Sequence, residues 1–370
     1  MNELPEPDRL EGIKHPAETS KVFGHETAKT EFLRAFHTDH IHHAWMLTGP
    51  KGIGKATLAY KIAQFLLSQE ETTSQLFDKI SPNSTLDTLK DHPITKRIRA
   101  GSEPGLFVIR RPLDEKTLKL KKVITVDTVR ELRHFFSLSA SGNGRRVVIV
   151  DCLDDMNNNA ANALLKILEE PPKSSTLLLI VNQPSQALPT IRSRCQTLNC
   201  KPLSIPDLQT AFEAAAPGVE FNKSFANLSG GSVGRALQLA FSEGLGTYNQ
   251  IIDLFFDLPK LDRGKLLKLA NLFARTTEEN FEQLQGLVDV FLARMALFPF
   301  NISNTDQTTA AEREVFKRLC PDQRSSRLWA DTQLELSQRL RKGQEANLDP
   351  SSLILDMGFK VEQTAAKILN

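Results

Sequence analysis

The apolar positions of the chain recur at two different periods, and the change between them divides the sequence. Ala28, Phe32, Leu33, Ala35 and Phe36 share one face of a predicted helix over 26–36. Four short, unbroken apolar runs follow at intervals: Ala44–Leu47, Leu106–Ile109, Val147–Val150 and Thr176–Val181. Runs of this length read as strands buried on both faces. Gln196–Cys200 reads as a last short strand. Helical periods lie between them. One covers Ala56–Leu67; a second follows Val123–Asp127, with Asp127 as its N-cap and Val129, Leu132, Phe135 and Phe136 inward. A third spans 158–170, with Ala160, Ala163, Leu164, Ile167 and Leu168 on one face, and stops at Pro171-Pro172. Strands alternating with helices predict a parallel α/β sheet. From Ser204 onward the pattern is helical only. Two short helices, 205–216 and 232–241, flank Gly230-Gly231. Longer stripes follow: Phe281, Leu284, Val288, Phe291, Met295 and Phe298; then Leu328, Leu334, Leu336 and Leu340; then Leu353, Ile354, Met357 and Val361. The expected organisation is a flexible arm (1–20), an α/β domain (21–203), a small helical domain (204–243) and an all-α bundle (244–370).

Three stretches fall outside these periods. Residues 68–104, including Ser81-Pro82-Asn83-Ser84, read as a polar, turn-rich insertion. Residues 110–122 form a basic run, read as a solvated loop in preference to a contact with a phosphate backbone. Gly142-Asn143-Gly144 is a turn signal.

Composition changes this picture little. The 370 residues are 40% hydrophobic and 24% charged, as in an ordinary soluble protein, and the net charge of +2 gives no global case for nucleic-acid or membrane binding. Phe outnumbers Tyr and Trp, 21 against 2 and 2, so the aromatics are mainly dry core. No apolar run approaches the ~18 residues of a membrane span, and the first residues lack a secretory pattern, so a cytoplasmic location is expected. Cys152, Cys195, Cys200 and Cys320 lack metal-site spacing and read as buried free thiols, with no zinc. His40, His42 and His43 read as a solvated loop with one side chain near a nucleotide pocket, in preference to a metal site.

The candidate chemistry starts at Gly49-Pro50-Lys51-Gly52-Ile53-Gly54-Lys55-Ala56-Thr57, which has the G-x-x-x-x-G-K spacing of a P-loop between a strand and a helix. Such a loop curls backbone N–H groups around a phosphate, with a helix N-terminus and a lysine adding positive charge. The next position should carry the hydroxyl that holds Mg²⁺, and here it is Ala56. Thr57 cannot substitute, because the next helical residue points roughly 100° away. Asp151 ends an apolar strand, where a P-loop protein holds the Mg²⁺ water shell. Asn182 ends another, where an amide can orient a water or a γ-phosphate oxygen.

In order, Gly24-His25, His43-Ala44, Gly49 to Lys55, Val148 to Asp151, the run Asn162-Ala163-Leu164-Leu165-Lys166-Ile167-Leu168-Glu169-Glu170-Pro171-Pro172 and Ser193-Arg194-Cys195 closely resemble the bacterial clamp-loader subunits of DNA polymerase III, which are AAA+ proteins. The resemblance is detailed over about 21–240 and looser beyond. It implies a helical lid at 204–243 and an oligomerising collar at 244–370. ATPase subunits of that family carry G-K-T and a D-E pair, where this chain has Gly54-Lys55-Ala56 and Asp151-Cys152. No cysteine module follows the P-loop helix. These departures make the chain most like the delta-prime type. The resemblance then implies a stator in a hetero-oligomeric ring with ATPase subunits and a clamp-opening subunit. Through that complex it would help load the sliding clamp on primer-template DNA during replication. Arg194 would be an arginine finger for a neighbour's nucleotide, and Arg235 a second sensor facing this chain's own pocket. ATP or ADP would bind weakly, with negligible hydrolysis by this chain. The alternative is a catalytically active AAA+ loader subunit that tolerates Ala56.

Overall fold

The computed structural model describes residues 6–369 apart from 8, 11, 20, 39–40, 70–84, 89–90, 115, 138–143, 275–277 and 301–308. His40, Ser81–Ser84 and Gly142-Asn143 therefore lie outside the described residues. Contacts divide the chain into two compact units, Met1–Phe221 with Ser229–Leu237, and Asn222–Leu228 with Gln238–Asn370.

The first unit contains α1 (Glu26–His37), β1 (Ala44–Thr48), α2 (Lys55–Ser68), α3 (Pro93–Arg99), β2 (Leu106–Arg110), α4 (Val126–Ser137), β3 (Arg146–Asp151), α5 (Asn158–Glu169), β4 (Ser175–Val181), α6 (Pro189–Arg192), β5 (Gln196–Asn199) and α7 (Ile205–Ala215). The strands form one sheet in the order β2-β3-β4-β1-β5, and every pairing is parallel. Successive residues of a strand point to opposite faces, and the core follows that rule. Trp45, Leu47, Val147, Ile149, Leu178 and Ile180 pack with Phe32, Ile62 and Phe65 of α1 and α2. Ala44, Met46, Val148, Val150, Leu177 and Leu179 pack with Leu132, Phe135, Leu164 and Leu168 of α4 and α5. The sheet is thus covered on both sides, which is why its strands read as unbroken apolar runs.

Several details differ from expectation. Residues 1–20 contain a 3-10 turn, Pro16–Glu18, whose Ala17 is buried and accepts a hydrogen bond from Gln64 at its carbonyl (3.3 Å). The polar stretch 68–104 contains α3, which Pro93 starts and whose Ile98 is buried. Helix α4 begins at Val126, so Asp127 sits in its first turn instead of capping it, still where a carboxylate favours the helix dipole.

The remaining helices are α8 (Lys223–Ser229), α9 (Val233–Phe241), α10 (Gly244–Phe255), α11 (Arg263–Ala274), α12 (Glu278–Leu297), α13 (Ala310–Leu319), α14 (Gln323–Glu345) and α15 (Pro350–Leu369). The core of the second unit gathers Phe255, Phe291 and Phe316, with ring centroids 5.6 and 5.2 Å from Phe291. One buried charge, Glu312, pairs with Arg294 (2.9 Å) and accepts the Tyr248 hydroxyl (2.6 Å), as a charge removed from water requires. On α14 the inward face is Trp329, Thr332, Leu336 and Leu340. Leu334, expected in that stripe, is exposed, because two residues from Thr332 and from Leu336 is the far side of a 3.6-residue turn.

Candidate functional site

Parallel strands end on one edge, so the residues after β1, β3 and β4 meet there. β4 lies between β3 and β1. Asn182, which follows β4, therefore stands between the loop after β1 and Asp151-Cys152 at the end of β3.

Gly49 opens the loop. Its N–H donates to the Val181 carbonyl (3.2 Å), and its φ of 146° lies in the region that favours glycine. A Cβ there would stand 2.2 Å from the Cys200 carbonyl oxygen. Gly52 has φ 81°, and a Cβ on it would meet the Ser232 hydroxyl at 2.5 Å. Ser232 Oγ donates to the Lys51 carbonyl (3.0 Å) and Gly234 N–H to the Gly52 carbonyl (2.9 Å). The N-terminus of α9 is thus seated on the loop, and Arg235, its exposed third residue, follows directly. Pro50 and Lys51 are exposed and Ile53 is core. Gly54 is the left-handed N-cap of α2, while Ala56 and Thr57 are half-buried on its first turn. Ala56 packs against the core and presents no ligand atom.

Lys55 is 4% exposed. Its ammonium donates to the Gly49 carbonyl (2.7 Å), the Pro50 carbonyl (2.6 Å) and Asn182 Oδ1 (2.8 Å). An ammonium has three hydrogens, and all three are directed at the protein's own oxygens. Burial pulls its pKa down to about 8, against the pull of Cys200 and Asp151. Asn182 Nδ2 in turn donates to Cys152 Sγ (3.4 Å), and the Asp154 carboxylate fixes the Asn182 and Gln183 N–H groups (2.7 and 2.9 Å). Burial raises the Cys152 thiol far above its usual value, so it is neutral and cannot serve as a base. His25, ahead of α1, places Nε2 2.8 Å from the Ile53 carbonyl. That nitrogen must carry the hydrogen; among the described residues the buried Nδ1 has no hydrogen-bond partner, and burial lowers the pKa. The glycine conformations suit a phosphate cradle. The engaged lysine and Ala56 do not suit a magnesium nucleotide.

The other edge of the sheet differs. Arg194 comes two residues before β5, whose Gln196 pairs with Trp45 at the start of β1. The P-loop leaves the other end of β1, so the depth of the sheet, ~13–16 Å, separates the two. Arg194 is half-exposed; it pairs with Glu169 at the end of α5 (2.9 Å) and donates to the Thr190 carbonyl (2.9 Å). His42 and His43 also lie at this edge, stacked at 4.3 Å, with His43 against the Leu168 carbonyl (3.1 Å). Neither reaches the P-loop, contrary to expectation, because β1 carries them to its opposite end. No described group of three or more His, Cys, Asp or Glu could hold a metal. The structure thus brings together Gly49–Lys55, Asp151, Asn182 and the α9 N-terminus, and sets Arg194 apart. The sequence does not single out His25, Asp154, Glu169 or Ser232 as site residues. His25 and Glu169 stand inside stretches that carry the resemblance; Asp154 and Ser232 carry no such signal.

Residues 24–204, just under half of the chain, match the family model described as "DNA polymerase III, delta subunit". The DNA polymerase III subunit delta' of Pseudomonas aeruginosa is 37% identical over 158 residues, which span 43% of each chain, so that match covers less than half of the relative's length. The delta' subunit of Bacillus subtilis is 26% identical over 73% of this chain and 75% of its own. A solved gamma-subunit-related protein of Thermotoga maritima covers 90% of this chain and 99% of its own at 17% identity, with a TM-score of 0.37, too loose a likeness to argue from. The family model and these relatives support a clamp-loader subunit of the DNA polymerase III type, most like delta-prime.

Proposed function

We propose, from the premise of a clamp-loader subunit most like delta-prime, that this chain is a stator. It would sit in a hetero-oligomeric loader with ATPase subunits and a clamp-opening subunit, and act on a nucleotide held by a neighbour. The supporting observation is the separation of the two edges. At the P-loop edge, Lys55 is bound to the protein's own oxygens, Ala56 stands where a magnesium-holding hydroxyl would be, and the residue after Asp151 is a neutral thiol. At the other edge a half-exposed arginine lies a sheet's depth away from its own loop, so a phosphate near it must belong to another chain. An arginine there stabilises charge developing on the transferred phosphoryl group. Glu169 and the Thr190 carbonyl set its orientation before the neighbour arrives. ATP or ADP binds this chain weakly, through the glycine loop and without magnesium, and Lys55 reaches it only by giving up one of its own acceptors; Arg235 faces the same pocket.

The retained glycine cradle favours a second reading, an active ATPase subunit. Purified full-length chain is assayed for ATP turnover beside Lys55→Ala, and mixed with loader ATPase and clamp-opening subunits for co-elution. The stator reading predicts equal turnover in both proteins and a stable complex. Turnover tenfold above the variant would establish the second reading, and failure to co-elute would reject both.

A further inference from the structure

Two prolines leave a deficit at the end of α5, and a histidine from another element fills it. In a continuing helix the Leu168 carbonyl would accept from a backbone N–H three or four residues on. Those residues are Pro171 and Pro172, which have no N–H. The donor is His43, the residue before β1, whose Nε2 lies 3.1 Å from the Leu168 carbonyl oxygen. A carbonyl only accepts, so this nitrogen carries the hydrogen. Burial and the neighbouring His42 hold the pKa below the usual histidine value, which favours the neutral ring. The His42 ring stacks on it, with centroids 4.3 Å apart and planes at 29°. The backbone is fixed as well, since the Leu177 N–H of β4 donates to the His43 carbonyl (2.8 Å). His43 therefore ties the amino edge of the sheet to the last turn of α5.

That turn also carries Glu169, the next residue, whose carboxylate holds Arg194 (2.9 Å). One residue further, Glu170 N–H donates to the Lys166 carbonyl (3.2 Å), and Glu170 leaves helical geometry at φ −125° and ψ 71°. The helix thus stops at the residue that orients the guanidinium. Leu168 is buried in the same core as Ile191 of α6. Arg194 hangs from that short helix: its N–H donates to the Ile191 carbonyl (3.0 Å) and its side chain to the Thr190 carbonyl (2.9 Å). Helix ends fray where their carbonyls lack donors. Loss of the His43 bond frees the last turn of α5, and the Glu169 carboxylate with it, so Arg194 loses the charge that aims it.

We propose that His43 is a positioning residue for Arg194: by donating to the Leu168 carbonyl it sets the end of α5, hence the Glu169 carboxylate, hence the direction in which the guanidinium meets a neighbour's phosphate. Such a role exists only if Arg194 acts on a neighbour's nucleotide, as proposed above. Loader complexes are assembled from full-length chain with ATPase and clamp-opening subunits, and DNA-stimulated ATP hydrolysis at the neighbouring site is measured as kcat and KM. His43→Phe keeps a ring to stack on His42 and removes the donor; His43→Gln keeps an N–H donor on a chain long enough to reach the same carbonyl. Each is made alone and together with Arg194→Ala. His43→Phe should lower kcat roughly tenfold and leave the KM for ATP unchanged, while His43→Gln should stay within about twofold of wild type. In the Arg194→Ala background His43→Phe should change nothing further, because its effect passes through the guanidinium. Wild-type kcat in His43→Phe, a His43→Gln variant as slow as His43→Phe, an equal fall in both backgrounds, or loss of assembly would each overturn the proposal, the last two marking a purely structural bond. Two failures are distinguishable. Wild-type hydrolysis with Arg194→Ala removes the arginine-finger reading and His43's role with it; lost hydrolysis with Arg194→Ala beside a fully active His43→Phe removes the positioning role alone.

Discussion

The two edges of one parallel sheet have met opposite fates. At the carboxyl edge, the groups that would grip a phosphate have turned on each other: ammonium to carbonyls, amide to thiol, carboxylate to the backbone N–H of Asn182 and Gln183. At the amino edge, one guanidinium rests on an exposed carboxylate that water already screens. The bonds of buried Lys55 are costly to open because each one broken strands a polar group away from water, whereas those of Asp154 are exposed. The exposed pair is cheap to exchange for a phosphate. Under the proposed function, such a sheet would lose catalysis at one end and keep it at the other, since the depth of the strands insulates the two.

The largest expected effect tests whether the carboxyl edge still matters as scaffold. Gly49→Ala drives a Cβ into the Cys200 carbonyl at a φ that alanine resists. Overpacking and backbone strain together should cost roughly 2–4 kcal/mol, read as a fall in the urea midpoint. Unchanged stability would mean the loop is slack. Next, Asn182→Ala leaves one Lys55 hydrogen without its acceptor at a 4% exposed site, for about 1–3 kcal/mol. Inorganic phosphate should recover part of that loss if the cradle still takes an anion.

The pH dependence separates folding from binding. Lys55 titrates at about 8, below the ordinary lysine value of 10.5 that it regains on unfolding. The folded chain therefore holds fewer protons than the unfolded chain between those values, and stability should rise with pH from about 8 towards 10.5. Anion binding needs the charged form and should fall up to tenfold per pH unit above 8. Titrations with opposite slopes would support the assignment, and parallel slopes would contradict it. The smallest effect is Glu169→Gln, which removes a half-exposed pair worth ~0.2–1 kcal/mol and should leave the melting temperature within a degree or two.

The sequence makes the strands legible because a two-sided sheet leaves unbroken apolar runs, as at Val147–Val150. It makes Ala56 and Cys152 legible as departures from a spacing. It hides what depends on three-dimensional proximity. Nothing local marks Lys55 as bound to Asn182, 127 residues away, or Ser232 as seated on Lys51. Helix α3 was obscured because Pro93 and the polar residues around it look like a turn, and only Thr95 and Ile98 are buried. The stretch 112–121 reads as a loop because the bonds among its described residues come from Asp114 and one bridge, which leave no periodic pattern.

The most direct test of the account compares the two edges in one assay. Loader complexes are assembled with wild-type chain, with Arg194→Ala and with Lys55→Ala, matched for subunit content, and DNA-stimulated ATP hydrolysis is measured at the neighbouring site. The account predicts that Arg194→Ala lowers that site's rate by ~10³ or more, while Lys55→Ala leaves it unchanged. Loss of hydrolysis with Lys55→Ala and retention with Arg194→Ala would contradict it.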